Sequence, residues 1–311
     1  SLHDALPIYG GRSETWRILD VLDWTRQFFA SRGIESARLD AEVLLAHVLD
    51  LKRIMLYARY DQPLTTEERD RYRALVRRRA QHEPVAYLVG EREFWSLSLE
   101  VRPGVLIPRP DSEALVQVAL TILAKDQPAR VADVGTGSGA IALAIARERP
   151  RVEVIATDVA DVALEVAARN AERLGLSDRV RVIRSDLLSG LEPDVEPFDL
   201  VIANLPYVPS AEVATLMPDV RDHEPREALD GGPEGLALVR RLIADAPARL
   251  APGGALLLEA GSPEIPRVAA ELRAGGYVDV ATHDDLGGRP RAAFGRRARR
   301  TDETSDARSN T

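Results

Sequence analysis

A polar and aromatic tetrapeptide, placed directly after an apolar run, is the stretch of this sequence best suited to chemistry. Asn204 carries an amide oxygen that accepts hydrogen bonds and an amide nitrogen that donates them, and the Tyr207 ring offers a flat surface. Residues 204–207 therefore suit a planar amide or amine. The preceding residues 199–203 are mostly apolar and β-branched, which predicts a strand buried on both faces. A strand that simply ends in a proline turn is the alternative interpretation.

A glycine-rich segment upstream supplies a second candidate site. Residues 129–134 predict a short strand, and the glycines after it let the backbone turn sharply and approach a ligand at the start of a helix. Asp158 ends the next predicted strand, about 20 residues past the last glycine, where a carboxylate can accept both hydroxyls of a ribose. After the third predicted strand, Asp186 can accept from an adenine amino group while Leu187 covers the ring. This succession predicts an α/β fold that binds a nucleoside-type cofactor.

Two kinds of cofactor fit the glycine loop. Residues 135–140 satisfy the looser dinucleotide pattern G-x-G-x-x-G/A, so an NAD-dependent oxidoreductase is one hypothesis. That enzyme would need an acid or base for hydride transfer, and His223 is the only histidine close to the tetrapeptide. Asp133, which lies just before the first glycine, places negative charge where a cationic ligand is favoured over a pyrophosphate.

The pattern Asp-x-Gly-x-Gly-x-Gly resembles the S-adenosylmethionine loop of class I methyltransferases, whose cofactor is a sulfonium with an amino-acid tail. We therefore expect S-adenosylmethionine as the cofactor. The residues predicted to bind it are Asp133, Gly135, Thr136, Gly137, Ser138, Gly139, Asp158, Asp186, Leu187 and Asn204.

The composition restricts the class of protein. The 311 residues are 45% hydrophobic and 29% charged, which is ordinary for a globular chain and long enough for two domains. A net charge of −8 argues against a general nucleic-acid binder. The absence of cysteine excludes disulfides and thiolate metal sites, and no apolar run reaches membrane-spanning length. We expect a cytoplasmic monomer without a metal, a membrane partner or sequence-specific nucleic-acid binding.

The pattern along the chain predicts four regions. Residues 14–90 carry apolar residues at helical spacing and predict an N-terminal helical bundle, in which Thr65 and Glu68 fit a capping box. Residues 91–107 predict a β-hairpin linker whose turn is Pro103–Gly104. Residues 108–298 predict the α/β domain, and residues 299–311 a disordered tail.

A rigid, charged loop opens the α/β domain. Residues 108–113 either only start a helix, with Asp111 or Ser112 as N-cap, or form a pocket at a domain boundary. Both interpretations remain open on the sequence. Residues 212–225, after the tetrapeptide, are expected to wall a substrate channel.

The tetrapeptide is similar to the Asn-Pro-Pro-Tyr signature of amino-group methyltransferases that act on planar nitrogens. These nitrogens are adenine N6 in DNA enzymes and a glutamine amide in the HemK/PrmC family. Further segments resemble the HemK/PrmC family and are absent from generic DNA methyltransferases; they are residues 37–42, 83–88, 106–113 and 224–232. The resemblance covers roughly residues 16–297. It implies a class I (Rossmann-like) S-adenosylmethionine-dependent methyltransferase sheet with an N-terminal helical domain that recognises substrate.

The HemK/PrmC family methylates the glutamine of the Gly-Gly-Gln (GGQ) motif in peptide chain release factors, so the resemblance implies a release factor as partner. It implies that the glutamine amide donates to the Asn204 side-chain oxygen and the carbonyl of residue 205, and that Tyr207 stacks on the amide. The implied catalytic residues are Asn204, Leu205, Pro206 and Tyr207. The family usually has proline where this chain has Leu205, which keeps the carbonyl but gives up a fixed φ. A nucleic-acid adenine methyltransferase and a cofactor-binding module without turnover are the remaining alternatives.

Overall fold

The structure of this protein is a computed structural model, which describes residues 16–299. The chain forms two compact units, of which the first ends at Val89 and the second begins at Gly90. The predicted tail, apart from Arg299, lies outside the described residues, as do residues 14 and 15. Within the described part, no helix combines the length and apolar character needed to cross a membrane.

The described part of the first unit is helical. Its helices are α1 (Ile18–Ser31), α2 (Ala37–Leu49), α3 (Arg53–Ala58), α4 (Thr66–Arg79) and α5 (Val85–Val89). Apolar side chains from these helices share one buried core. The capping box at the start of α4 is confirmed, because the Glu68 N–H donates to Thr65 Oγ1 at 3.2 Å and the Thr65 N–H donates to Glu68 Oε2 at 2.7 Å.

A β-hairpin opens the second unit, and its turn differs from the predicted one. Strand β1 (Glu91–Phe94) pairs antiparallel with β2 (Leu97–Glu100), so the hairpin turn lies at Trp95 and Ser96. Pro103–Gly104 does form a turn, with the Val105 N–H donating to the Arg102 carbonyl at 3.1 Å, but this turn lies after the hairpin, so its prediction as the hairpin turn is wrong. Trp95 and Ser96 have φ of 50° and 57°, the conformation that a type I′ turn requires. Asn-Gly and Asp-Gly normally mark such a turn. A Trp-Ser pair gives no such signal, which explains the error.

A seven-stranded sheet forms the centre of the second unit, counted over residues 90–299. Its strands are β3 (Ala129–Val134), β4 (Val152–Asp158), β5 (Val180–Arg184), β6 (Phe198–Ala203), β7 (Leu250–Glu259), β8 (Val278–Asp284) and β9 (Pro290–Arg296). The strand order is β5-β4-β3-β6-β7-β9-β8. The first five strands in this order are parallel, and β9 runs antiparallel to both β7 and β8.

Helices cover both faces of this sheet. They are α6 (Glu113–Ile122), α7 (Ala140–Glu148), α8 (Asp161–Arg173), α10 (Ala237–Asp245) and α11 (Ile265–Ala274), while the short, unburied α9 (Pro218–Arg221) lies in the segment between β6 and α10. Alternate residues of β6 enter two different cores: Leu200 and Ile202 pack with α7, whereas Val201 and Ala203 pack with α10 and α11. This two-sided burial explains why residues 199–203 are almost continuously apolar.

The order of the strands fixes where a ligand can bind. The chain leaves β3 toward β4 and β5, then returns to place β6 on the other side of β3. The carboxyl ends of β3 and β6 therefore meet at the point where the direction of winding reverses, which is where open α/β sheets bind ligands. The glycine loop follows β3 and the tetrapeptide follows β6. This is the predicted class I methyltransferase sheet.

Candidate active site

A cavity of about 610 Å³ lies at the carboxyl ends of β3, β4, β5 and β6. Its volume falls within the range of about 300–1,000 Å³ that is typical of small-molecule sites. The predicted site residues on its wall are Gly135, Thr136, Gly137, Ser138, Asp158, Asp186, Leu187, Asn204, Leu205 and Pro206. The remaining predicted site residues, which are Asp133, Gly139 and Tyr207, do not line this cavity. The fold thus brings together two segments that are about 70 residues apart in the sequence, as expected at a switch point.

The glycine loop has a backbone that other residues would adopt only with strain. Gly135, Gly137 and Gly139 have φ of 72°, 56° and 83°. A Cβ on Gly135 would also stand 3.1 Å from Leu205 Cδ2. The loop after β3 therefore lies directly against the tetrapeptide after β6, and Gly135 leaves the space for this contact.

Asp133 lies beneath the loop. Its carboxylate Oδ2 accepts from Thr136 Oγ1 at 2.6 Å and from the Ala142 N–H at 3.2 Å. Its Oδ1 is buried and has no hydrogen-bond partner among the described residues. Burial raises the pKa of Asp133. The hydrogen bonds from Thr136 and Ala142 oppose this rise, and the resulting pKa is about 6. A buried carboxylate with an unused acceptor, next to the cavity-lining loop, suits a cationic group.

Asp158 lies on the cavity wall at the end of β4. One of its oxygens accepts from the Gly137 N–H at 2.9 Å and the other from the Ala160 N–H at 3.0 Å. A carboxylate offers about four lone-pair sites, so two remain for ligand hydroxyls. Asp158 thus both holds the glycine loop and presents acceptors to the cavity.

Asp186 and Leu187 follow β5, and the two side chains differ in exposure. The Asp186 carboxylate is exposed and accepts from Arg241 at 2.8 Å. Leu187 is buried, has a positive φ of 52°, and accepts a hydrogen bond on its carbonyl from Thr157 Oγ1 at 3.2 Å. The pairing of Asp186 with Arg241 was not foreseen from the sequence, because these residues are far apart in the chain.

The side-chain amide of Asn204 has a defined orientation. Its Nδ2 donates to the Ser112 hydroxyl at 3.0 Å. Its Oδ1 accepts no hydrogen bond from the described residues, and Asn204 lines the cavity. The oxygen is thus available as an acceptor for a ligand N–H. Leu205 and Pro206 also line the cavity, and Leu205 is 3% exposed.

Tyr207 packs against the apolar core that β6 shares with α10 and α11. Its ring lies close to Gly261, where a Cβ would stand 3.6 Å from Tyr207 Cε2. Burial raises the pKa of Tyr207, and the charge of Glu259 adds to this effect. Tyr207 is not one of the residues that line this cavity.

Ser112 occupies the predicted N-cap position of α6, but its side chain does not cap the helix. A 3-10 turn at Pro110–Ser112 precedes α6, so Ser112 already has helical φ of −68° and ψ of −12°, and its side chain makes no cap hydrogen bond. The position was therefore predicted correctly, whereas the hydrogen bond that an N-cap side chain usually makes is absent. Pro110 takes the first position of the helical run, where its missing N–H costs nothing. The hydroxyl of Ser112 instead accepts from Asn204.

Glu259 was not singled out from the sequence, although the structure places it beside this loop. It is the last residue of β7, is 1% exposed, and has the Ser112 hydroxyl within hydrogen-bonding reach. Burial raises the pKa of Glu259 to about 7, while Ser112 and Arg291 lower it. The available signal was an acid at the end of an apolar strand, the same position that Asp158 has on β4.

Glu224 joins two segments of the cavity wall. Its carboxylate forms an ion pair with Arg109 and accepts from the Ile107 N–H at 3.1 Å. The Glu224 side chain is 1% exposed. Pro225, which follows it, and Pro108 both line the cavity. This arrangement supports the pocket interpretation of residues 108–113.

A second glycine is required by a close backbone approach. A Cβ on Gly231 would stand 2.4 Å from the carbonyl oxygen of Gly235 and 2.6 Å from that of Pro206. The neighbouring backbones are paired, since the Val208 N–H donates to the Leu229 carbonyl at 3.0 Å and the Gly231 N–H donates to the Val208 carbonyl at 2.8 Å. Gly231 therefore allows this segment to support the backbone of the tetrapeptide.

Two family models match the chain. Residues 20–90 match the model described as the PrmC N-terminal domain, and residues 111–219 match the model described as the methyltransferase small domain. The matched residues include parts of both compact units, and the second match contains the glycine loop and the tetrapeptide.

Individual relatives are similar over most of their length. A release factor glutamine methyltransferase of Rhodopirellula baltica is 45% identical over 282 residues, which cover 89% of this chain and 95% of that protein. A protein of the same description from Geobacter sulfurreducens is 42% identical over 285 residues, covering 92% and 98%. The solved structure of a release factor-specific protein-(glutamine-N5) methyltransferase from Alicyclobacillus acidocaldarius is 32% identical and covers 64% of this chain and 99% of that chain, with a TM-score of 0.38.

Proposed function

We propose a function for this chain from the premise that it belongs to the release factor glutamine methyltransferase family. The enzyme transfers a methyl group from S-adenosylmethionine to the side-chain amide nitrogen, N5, of the glutamine in the GGQ motif of a peptide chain release factor. The observation that carries the proposal is Asn204, whose unoccupied Oδ1 stands on the cavity wall at the end of β6.

The cavity suits S-adenosylmethionine as the methyl donor. The unpartnered Oδ1 of Asp133 is an orphaned buried acceptor of the kind that a cationic amino group satisfies. Asp158 has acceptor capacity for ribose hydroxyls. Asp186 and Leu187 line the same cavity, and in this proposal Asp186 accepts from the adenine amino group while Leu187 covers the ring. When bound, S-adenosylmethionine supplies an electrophilic methyl group on a sulfonium.

The tetrapeptide would bind and polarise the glutamine amide. An amide nitrogen is a weak nucleophile because its lone pair is delocalised into the carbonyl. Asn204 Oδ1 and the carbonyl oxygen of Leu205 accept its two N–H groups and stabilise the positive charge that develops on nitrogen. Hydrogen bonds to charged groups contribute about 1.5–3 kcal/mol each.

Orientation contributes more than polarisation. Holding a nucleophile and its target in reacting geometry contributes about 7–11 kcal/mol. The protonated product amide loses its proton readily to water, so this site needs no strong general base. Tyr207 packs against the core beside the tetrapeptide and stabilises its position, and in this proposal its ring also stacks on the amide of the bound substrate.

The protein substrate and the site of action follow from the same proposal. Residues 14–90 recognise the release factor, and the second unit carries out the transfer. In this proposal the enzyme acts as a monomer. The enzyme acts in the cytoplasm, where release factors function in translation.

A transfer assay with labelled S-adenosylmethionine tests the proposal. We expect label on a purified release factor, but not on the same factor with GGQ changed to Gly-Gly-Ala or on duplex DNA. Asn204→Ala should reduce kcat by about 10²–10³-fold, the usual loss for one preorganised stabilising group. Label on DNA would move the assignment to the adenine methyltransferases, and absence of label on the wild-type factor would refute the proposal.

A further inference from the structure

Glu259 is a buried carboxylate that packing alone does not explain. The residue is 1% exposed, and its Oε2 has no hydrogen-bond partner within the described part of the chain. The neighbouring Arg291 forms its ion pairs with Asp111 at 2.8 Å and Asp285 at 3.5 Å. A buried carboxylate without a direct ion pair is costly. Glu259 also lies outside the cavity wall, so it can affect a substrate only through a neighbour.

Ser112 is the neighbour that connects Glu259 to the site. Its oxygen accepts from Asn204 Nδ2 at 3.0 Å, and its hydroxyl is within hydrogen-bonding reach of the Glu259 carboxylate. Ser112 is 4% exposed and makes no helix-cap hydrogen bond. Ser112 therefore lies between Asn204 and Glu259.

The available protons determine which of Glu259, Ser112 and Asn204 donates each hydrogen bond. A serine hydroxyl has one proton to donate, and an ionised carboxylate can only accept. When Ser112 donates to Glu259, its oxygen can only accept from Asn204, and the Asn204 NH2 must face Ser112. The opposite side of the Asn204 amide, Oδ1, then faces the cavity. With Ser112 alone, either amide orientation would form a hydrogen bond, because a free hydroxyl both donates and accepts.

We propose that Glu259 is a positioning residue which, through the Ser112 hydroxyl, fixes the Asn204 amide with Oδ1 toward the cavity. This inference rests on the proposed function, in which Asn204 Oδ1 accepts an N–H of the substrate amide. A reversed Asn204 would present its NH2 to the substrate NH2, and the acceptor would be lost.

The hydrogen-bonded series Glu259–Ser112–Asn204, called the relay below, predicts that activity depends on pH. The direction of this dependence follows from the protonation of Glu259. An ionised Glu259 accepts from Ser112, whereas a protonated Glu259 can donate to Ser112 and release the serine proton toward Asn204 Oδ1. The pKa of Glu259 is raised by burial to about 7. The charged and titratable groups around it are Arg291 on β9, Arg109 and Asp111 before α6, and Tyr207 after β6. Activity at saturating cofactor should therefore fall as the pH is lowered through about 7.

Steady-state kinetics on the full-length enzyme tests the relay first. Glu259→Gln keeps the shape but can donate to Ser112, so we expect kcat to fall at least about tenfold, but less than the about 10²–10³-fold of removing the acceptor itself. The affinity for S-adenosylmethionine should not change, and the acidic limb of the kcat profile should disappear. Glu148→Gln, the same chemical change on an exposed residue, is the control and should retain the limb.

A double-mutant cycle distinguishes a loss of kcat that acts through the relay from one caused by nonspecific structural disruption. Ser112→Ala should reduce kcat, and Ser112→Thr should restore most of it because threonine keeps the hydroxyl. Glu259→Gln should have almost no further effect in the Ser112→Ala background, since the relay is already broken. Additive losses, or a Glu259→Gln enzyme that keeps the wild-type kcat or the acidic limb, would overturn the inference.

A measurement without methyl transfer keeps the relay distinct from the proposed function. In 15N-labelled protein, the Asn204 side-chain NH2 signals, assigned by their absence in Asn204→Ala, should shift as the pH passes about 7, and this shift should be absent in Glu259→Gln. Signals that do not respond to pH or to Glu259→Gln would refute the relay. A wild-type enzyme that transfers no label would refute the function while leaving this spectroscopic result to stand by itself.

Discussion

The side chain of Leu205 lies directly over Gly135, with its Cδ2 3.1 Å from the point that a Cβ on Gly135 would occupy. This contact joins the cofactor loop after β3 to the tetrapeptide after β6. It links two functions, because one residue belongs to the proposed donor site and the other to the proposed acceptor site. A change at either residue is therefore transmitted to the other.

Gly135→Ala tests this contact. We expect S-adenosylmethionine affinity to fall at least tenfold, since strain of about 1–3 kcal/mol would displace the loop, and Leu205 must move as well. Isothermal calorimetry and thermal unfolding measure the two effects. Gly175→Ala is a matched control, because Gly175 has a φ of 66° but nothing within 4 Å of an added Cβ. Equal cofactor affinity in the two variants would contradict the role of the contact.

Leu205→Ala distinguishes the contribution of the Leu205 side chain from that of its backbone carbonyl. Loss of a buried leucine side chain costs about 2–5 kcal/mol of unfolding free energy, and Leu205 is 3% exposed. The carbonyl remains, so kcat should change far less than the about 10²–10³-fold expected for Asn204→Ala. Leu205→Pro, which also keeps the carbonyl, should likewise turn over. A loss of kcat in Leu205→Ala as large as that in Asn204→Ala would show that the side chain, not the carbonyl, is what catalysis requires.

Gly231→Ala should affect turnover more than cofactor binding. The added Cβ would stand 2.4 Å from the Gly235 carbonyl oxygen and 2.6 Å from the Pro206 carbonyl oxygen, and backbone atoms cannot give way as a flexible side chain can. The backbone on both sides, including that of the tetrapeptide, must shift to relieve these contacts. We therefore expect kcat to fall at least about tenfold, because small displacements of positioning groups have effects of this size. The control is Gly287→Ala, where the nearest neighbour is the Asp285 side chain at 3.1 Å. Unchanged kcat in Gly231→Ala would contradict the support role.

Glu259→Gln should gain stability relative to the wild type as the pH rises. The pKa of Glu259 lies near 7 in the folded protein, against an ordinary value of 4.5, because burial disfavours its charged form. Between these values the folded state binds more protons than the unfolded state, so this group lowers stability with rising pH across this interval. The size of the effect is on the order of 3 kcal/mol for such a shift. Denaturant unfolding at pH 5 and pH 8 measures it, and a pH-independent difference between the two proteins would contradict it.

The sequence predicts well those parts of the site that are local in the chain. The strand at residues 199–203, the glycine loop and Asp158 follow from runs of a few residues whose pattern has a direct physical cause. The hairpin turn at Trp95 and Ser96 was missed because neither residue is typical of a positive φ, even though both adopt it.

The contacts around Ser112 could not be predicted in this way. Ser112, Asn204 and Glu259 come from three distant segments, and they meet because β6 lies beside β7 in the sheet while the start of α6 passes the ends of both strands. A short sequence pattern carries no information on that order. The local pattern Asp-Ser before a helix predicts an N-cap instead, and the structure uses the serine for a tertiary contact.

Selection for heat resistance and selection for turnover would act in opposite directions at Glu259. At neutral and alkaline pH the buried, ionised carboxylate at the end of β7 weakens the folded state, and a neutral replacement relieves this. A screen that ranks variants by melting temperature at pH 8 would therefore favour Glu259→Gln over the wild type, because the replacement removes this unfavourable contribution to the free energy of unfolding. Such a screen would enrich enzymes in which the Asn204 amide is reversed. A thermostable homologue suited to engineering is one that gained its stability elsewhere and still carries the acid at this position.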